Sequence, residues 1–426
     1  MLRKQLAFSI CSIQITCVTL LLTSTVAVMP SQAQTFTVVH EFTGPPDGAF
    51  PNPIIRDAHG NIYGTTLAGG LASCGGGCGT VFKIDSAGNE TILFAFPGGN
   101  DGANPVAGLV RDGSGNLYGT ARGNGYINAA SVVFKVDTAG QETVLYIAYT
   151  RDASALDSPL ALDSQGNIYG MAPYGGTICG WNSNGASCGT LFKLTPSGKF
   201  SVLHKFKGTD GVQPEGGVVL DAQGNIYGTS VHGGHRKCDY PGWGQPRGEG
   251  CGTVYKLDTH GNFTVLHTFT GPHDGSYPLG LILDSAGNLY GIAESGGDIT
   301  GEYIYGLGTV FEIDASGKFS VLFTFTPETT INYVYGSHLL RDTKGNLYGL
   351  QQQNNCAGGG CLFRIDPQGQ YADLFNFEGE GESDDGFNPA NVVFGSDDDM
   401  YGAMQLGGDG NGCEQSCGTV FHLAPF

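Results

Sequence analysis

After residue 34 the apolar positions fall in short runs of strand length, broken at regular places by Asp-x-x-Gly, and no stretch carries the three-to-four-residue stripe of an amphipathic helix. The fourth copy of the pattern shows its parts. Gly217–Leu220 is an apolar run, Asp221-Ala222-Gln223-Gly224 a turn, and Asn225–Gly228 a second run. A long polar loop leads to Gly252–Leu257, then a second turn, Asp258-Thr259-His260-Gly261, and a fourth run, Phe263–Phe269. In both turns the Asp side chain can accept from the backbone two residues on, and the Gly can take the positive φ that a short hairpin needs. Each copy therefore predicts four antiparallel strands.

The copies are counted by one tyrosine each: Tyr63, Tyr118, Tyr169, Tyr227, Tyr290, Tyr348 and Tyr401, most within Asp-x-x-Gly-Asn-(Ile/Leu)-Tyr-Gly and about 50 to 60 residues apart. Val254, Tyr255 and Leu257 do not alternate with polar residues, so both faces of such a sheet need cover. Radial stacking of neighbouring sheets supplies it, and the expected fold is an all-β, seven-bladed β-propeller with four-stranded antiparallel blades. The chain ends agree. The last copy stops after its third strand, Gly418–Leu423, while Thr35–Phe42 reads like the fourth strand Phe263–Phe269. Blade seven is then shared between 35–42 and 390–423, which closes the ring without an open edge.

Residues 1–33 read as a signal peptide: Arg3 and Lys4, an apolar run to about Met29, and the small-x-small site Ser31-Gln32-Ala33. An uncleaved anchor is the alternative reading of that run. With cleavage, 34–426 is a single propeller domain that is secreted, extracellular or periplasmic, with no membrane insertion after the signal is removed. The formal charge of −19 excludes a nucleic-acid partner, which needs clustered Lys and Arg. Gly at 71 residues and only 14% charged residues fit short strands and tight turns rather than helices.

Ten of the twelve cysteines lie beyond the export segment and form local pairs: Cys74 with Cys78, Cys179 with Cys188, Cys238 with Cys251, Cys356 with Cys361, and Cys413 with Cys417. Each pair belongs to the loop between strands two and three of its own blade. Pairs on separate blades cannot pool four thiolates around zinc, whereas disulfides need no convergence. Each bridge would stabilise by roughly 2 to 3 kcal/mol through the unfolded state.

The segments Gly-Asn-Leu-Tyr-Gly, Gly-Thr-Val-Phe-Lys-Ile-Asp and Thr-Val-Leu-His-x-Phe resemble the GloVer tandem repeats of secreted bacterial proteins, over Thr35–Phe426. That resemblance implies export and the repeat type; it implies no activity. A weaker likeness, in the Asp-x-x-Gly-Asn-(Ile/Leu)-Tyr core, is to NHL-type and gluconolactonase-like propellers, which include binding modules and enzymes alike. Two copies depart from the pattern: Ser131-Val132-Val133-Phe134 replaces the usual Gly-Thr start, and Gly395–Met400 precedes Tyr401.

Long, unlike loops on a rigid scaffold are where binding usually resides. The loop-borne aromatics Trp181, Tyr240, Trp243, Tyr303 and Tyr305 are the ligand-binding candidates, set against a plainer role in filling their own loops. The acidic run Glu378, Glu380, Glu382, Asp384, Asp385 offers the hard oxygens calcium takes, and a solvated acidic loop is its other reading. His232, His235 and Cys238 have metal-like spacing, but Cys238 has a disulfide partner; His40, His204 and His267 share one repeat position and read as scaffold. No cofactor is expected beyond that calcium site. No nucleophile elbow, His-Glu-x-x-His or Walker loop is present. The expected function is a non-catalytic module that presents stapled loops to an extracellular glycan or protein. The alternative is an extracellular polysaccharide lyase or glycosidase using the same face, for which the sequence names no catalytic residue.

Overall fold

The computed structural model describes residues 35–71, 76–123, 131–148, 155–179, 187–234, 238, 250–297, 306–327, 329, 338–351, 358–378, 387–396, 399–408, 413 and 416–424. They form seven antiparallel sheets; in six the order follows the chain from first strand to fourth, and in the seventh the N-terminal strand takes the fourth place. Blade four pairs Val218–Leu220, Ile226–Ser230, Thr253–Leu257 and Phe263–Thr268 in succession. The chain is a seven-bladed β-propeller. One short helical turn, Gly99–Asp101, is the exception to the all-β pattern among the described residues.

The ring closes as a strand exchange between the chain ends. Phe36–Glu41 lies antiparallel to Thr419–Leu423, with Phe36 opposite Leu423 and Glu41 opposite Thr419. The register slips between Val38 and His40, and fourth strands elsewhere slip at the matching place, as between Val254 and Tyr255 or Val310 and Phe311 of their partners. The N-terminal strand thus reproduces even the bulge of a fourth strand made in sequence.

The Tyr-Gly pair of each second strand is explained by what lies over it. A Cβ on Gly291 would sit 2.4 Å from the ring of Phe311, and the same third-strand ring blocks a Cβ at Gly64, Gly119, Gly170, Gly349 and Gly402. Phe311 and its equivalents are fully buried. The apolar clusters lie between blades rather than within one: Tyr63 and Val81 of blade one pack with Leu117, Val132 and Phe134 of blade two, and Phe42 and Val420 of blade seven pack with Ile62 and Phe82 of blade one. This is the two-faced cover that the non-alternating strands require.

At the turn end each Asp does what its position predicts. Asp221 Oδ1 accepts from the backbone N–H of Gln223 at 3.0 Å and of Asn225 at 2.8 Å, while Oδ2 accepts from Asn225 Nδ2 and from the Tyr227 hydroxyl. These donors hold the Asp221 carboxyl below the usual range against the opposing effect of burial. Saturated oxygens explain why the Asp recurs without a second carboxylate: it is a turn, not a calcium loop. Blade seven solves the same problem differently. Its turn begins with Gly395, where a Cβ would meet Asp399 Oδ1 at 1.8 Å, and Asp399 sits instead within 2.9 Å of His422 Nε2. The irregular Gly395–Met400 segment is a relocation of the carboxylate by four residues.

Three of the cysteine pairs are disulfides within the described residues: Cys179–Cys188, Cys238–Cys251 and Cys413–Cys417. Cys78 and Cys361 are also disulfide-bonded, and Cys74 and Cys356, their sequence-expected partners, lie outside the described residues. Cys361 falls inside the third strand, Gly358–Ile365, rather than in the loop ahead of it, because it takes the strand position that Thr253 holds in blade four: Cys361 pairs with Gln351 as Thr253 pairs with Ser230. No helix among the described residues is long and apolar enough to cross a membrane.

Candidate functional site

The starts of the first strands crowd together around the axis. Ile54 of blade one donates its backbone N–H to Asn391 Oδ1 of blade seven at 2.8 Å and accepts from Asn391 Nδ2 at 2.9 Å. A Cβ on Gly108 of blade two would stand 3.1 Å from Pro53, and one on Gly216 of blade four would stand 2.2 Å from the backbone of Gly280 in blade five. The chain enters each of these strands from the blade links, so this end carries the links and the second-to-third loops. The Asp-x-x-Gly turns lie at the other end.

A cavity of about 450 Å³ opens here, and blades one to six all line it, from Pro53 through Gly108, Pro159 and Gly216 to Leu279 and His338. A space touched by six of seven blades lies at the mouth of the axial channel. Its polar groups come from single blades. Arg122, at the end of the second strand Leu117–Arg122, donates from Nη2 to Asp157 Oδ2 at 2.9 Å and from Nε to Oδ1 at 3.4 Å. A planar guanidinium paired through two nitrogens fixes the Asp157 carboxylate in place. Next to it, the Ser158 side chain is 2% exposed, and its hydroxyl has no partner among the described residues. The Tyr174 ring stands exposed at the rim, its hydroxyl accepting from Gln213 Nε2 at 3.1 Å.

Two further carboxyls are raised above their usual range. Glu215 borders the lumen, and desolvation followed by the charge of Asp157 raises its carboxyl above the usual range. Although protein surrounds it on most sides, Glu215 keeps an open face toward the channel. Glu294, on the second strand of blade five, is pushed up to about 7 by burial first and by the charge of Glu215 second. Burial also drives the His338 imidazole down to about 4, so it is neutral at physiological pH. The mouth therefore presents a fixed ion pair, a free hydroxyl, a neutral imidazole and, in Glu215, a carboxyl raised above its usual range.

None of these groups stands out in the sequence. They sit in the blade links, where copies differ most, and only the ring brings them together. The aromatic candidates Trp181, Tyr240, Trp243, Tyr303 and Tyr305 lie outside the described residues, as do His235 and the acidic candidates Glu380, Glu382, Asp384 and Asp385. Cys238 is tied to Cys251, and burial holds the His232 imidazole down at about 4. His204 and His267 meet an Asp of the following link at 3.0 Å and 3.1 Å and stack on Phe263 and Phe319 of the next blade.

Comparison with known sequences agrees with the repeat. The family described as the Gloeobacter/Verrucomicrobia repeat matches residues 23–181 and 176–381. The chain belongs to this family. As a Gloeobacter/Verrucomicrobia repeat protein, it has no match among curated proteins. Among solved structures it is similar to a puromycin hydrolase S511A mutant complexed with PGG, at 14% identity and a TM-score of 0.51, over 84% of this chain and 50% of that one. It is also similar to a putative 6-phosphogluconolactonase from Bacteroides uniformis, at 16% identity, 88% and 99% coverage and a TM-score of 0.48. A gluconolactonase from Xanthomonas campestris aligns at 15% identity, 92% and 99% coverage and a TM-score of 0.42. At these identities the likeness of the repeat protein to such structures is one of fold.

Proposed function

We propose that the protein is an exported, disulfide-stapled propeller that binds a neutral or amino-bearing saccharide at the loop-bearing mouth of its axial channel and does not transform it. The observation that carries this reading is the convergence of the Arg122–Asp157 pair, the unpartnered Ser158 hydroxyl and the Glu215 carboxylate on one cavity. Sugar hydroxyls need donors and acceptors fixed at several angles, which a charge-paired carboxylate and a free hydroxyl offer. The carboxylates outnumber the guanidinium there, which favours neutral or cationic rings over acidic ones. The large exposed apolar side chains among the described residues, Leu71, Tyr174 and Ile178, all belong to second-to-third loops and so border the same end. Disulfides and the export segment fit work outside the cytoplasm.

The test is capture on a glycan array by the mature protein and by Asp157→Asn and Glu215→Gln. Retention of neutral or amino glycans by the wild type, lost in both variants while the far-ultraviolet spectrum stays unchanged, supports the reading. Equal capture by all three overturns it.

A second reading, hydrolysis or elimination on a polysaccharide by the same face, is favoured by one feature. Glu215 and Glu294 form a carboxylate pair of which one member holds a proton near neutrality, as general acid catalysis requires. New reducing ends or unsaturated products, abolished by Glu294→Gln, would select this reading over simple binding.

A further inference from the structure

The outer rim carries a repeated contact that one junction breaks in an informative way. The fifth residue of each fourth strand faces the first residue of the fourth strand in the next blade. Five junctions are ring on ring: Tyr146 on Phe200 at 4.1 Å, His204 on Phe263 at 3.7 Å, His267 on Phe319 at 3.6 Å, Phe323 on Tyr371 at 5.1 Å and Phe375 on Phe36 at 5.5 Å. The first residue is a glutamate at the other two, Glu90 and Glu142.

At the closure seam, His40 of the N-terminal strand meets Glu90 of blade one and Asp47 of the link between them. The imidazole Nε2 lies 3.6 Å from Glu90 Oε2 and 3.8 Å from Asp47 Oδ2. In the sister copies the same imidazole nitrogen hydrogen-bonds its Asp at 3.0 and 3.1 Å. Here it stands off from both carboxylates and has no hydrogen-bond partner among the described residues, and Glu90 Oε1 has none either. All three ligand atoms lie within 4.8 Å of one another. Asp47 is held in place by the backbone N–H groups of Thr43 at 2.9 Å and Gly48 at 2.6 Å and by the Thr43 hydroxyl at 3.1 Å. The corresponding residues of the next junction are Phe94, Asp101 and Glu142, which keep both carboxylates and lack the nitrogen.

We propose that His40, Asp47 and Glu90 form a divalent transition-metal site, of the zinc class, that clamps the N-terminal strand to blade one where the ring closes. One imidazole and two carboxylates are a common donor set for such ions, with water in the fourth position. With metal–ligand bonds of roughly 2.0 to 2.1 Å, tetrahedral ligand atoms stand about 3.3 Å apart, so the observed spacings need only a small closure of side chains. Side-chain exposures of 18%, 16% and 14% leave an entry path while limiting competition from water. The site is independent of the channel mouth and of what binds there.

The test uses tag-free mature protein, zinc chloride as probe, isothermal calorimetry and a thermal-shift series. Wild type is expected to bind one equivalent of zinc, with a melting temperature that rises with zinc concentration. Glu90→Phe recreates the His-on-Phe stack of the sister junctions and should fold without metal, yet bind zinc about 100-fold more weakly or worse. His40→Phe, which copies the Phe94 junction, should do the same. Wild type that takes up no zinc overturns the proposal and leaves a shared proton between the two carboxyls as the account of the cluster. Variants that keep wild-type stoichiometry and affinity overturn it too, since the ion then sits elsewhere.

Discussion

The two ends of the propeller follow opposite rules. At the turn end six blades repeat one bond, from a Tyr hydroxyl to an Asp carboxylate at 3.0 to 3.2 Å, and blade seven moves its carboxylate to Asp399 beside His422. At the mouth each polar group is unique to its blade: Arg122 from blade two, Asp157 and Ser158 from blade three, Glu215 from blade four, His338 from blade six. Recurrence marks what every blade needs in order to pack. Divergence inside a shared frame marks what packing does not require, and a polar group that packing does not require is free to meet a ligand.

The largest effect should come from the recurrent layer. Phe311→Ala removes a fully buried ring that covers Gly291 and packs between blades, and should cost about 3 to 5 kcal/mol in denaturant unfolding. A loss below about 1 kcal/mol would show that the interior of a blade is not where the ring's stability lies.

Next comes the rim junction that lacks both its stack and a metal ligand set. Glu142 faces Phe94, its carboxyl is pushed up to about 7 by burial and then by Asp101, and its Oε1 has no hydrogen-bond partner among the described residues. Glu142→Phe restores the aromatic pair of the other junctions and should stabilise by about 1.5 kcal/mol at pH 8. The sign of the pH dependence follows from the raised value. Between about 4.5 and 7 the folded chain holds a proton that the unfolded chain releases, so this glutamate, like Glu294, lowers stability as pH rises through that window. The turn aspartates work in the other direction. Asp57 is lowered to about 2, with burial opposing several hydrogen bonds, so its contribution is present above about 3.8 and is lost as pH falls toward 2. The melting temperature should therefore peak near pH 4 to 5 and decline on both sides, and the advantage of Glu142→Phe should shrink at pH 5. A gain that is equal at both pH values would remove the buried charge from the explanation.

Tyr227→Phe probes a single turn. It deletes the hydroxyl that donates to Asp221 at 3.0 Å while leaving Asp221 its backbone and Asn225 donors, so about 1 kcal/mol should be lost, with no change in ligand capture.

How far the sequence could be read follows the same division. Tyr63 to Tyr401, the turn aspartates and the likeness of Thr35–Phe42 to Phe263–Phe269 recur, so the blade, the count and the closing strand were legible before any coordinates. Spacing paired Cys179 with Cys188, Cys238 with Cys251 and Cys413 with Cys417 for the same reason, since each of these pairs is local to one second-to-third loop. The mouth was not legible, because Arg122 and Asp157 are 35 residues apart in chain and meet only through the stacking of blades two and three. The rim glutamates do leave a signal in the sequence: Glu90 and Glu142 interrupt a column otherwise made of Phe36, Phe200, Phe263, Phe319 and Tyr371. In a repeat protein, a charged residue in an aromatic column stands out only when the copies are aligned column by column.

The smallest change in stability should accompany the mouth itself, and a pair of hydroxyls isolates the contrast. Thr66 Oγ1, within the second strand of blade one, Ile62–Gly69, bonds the carbonyl of Ala68 and the Thr80 hydroxyl, each at 2.8 Å. Thr66→Val strips a buried network and should cost about 1 kcal/mol. Ser158→Ala removes a hydroxyl equally buried but without a partner among the described residues, so stability should stay within about 0.5 kcal/mol or rise slightly. If Ser158 donates to or accepts from a bound saccharide, the same change should weaken capture by about 5- to 10-fold, which Thr66→Val should not. A Ser158→Ala protein that loses as much stability as Thr66→Val would make that hydroxyl part of the scaffold, and the mouth would then obey the rule of the turn end.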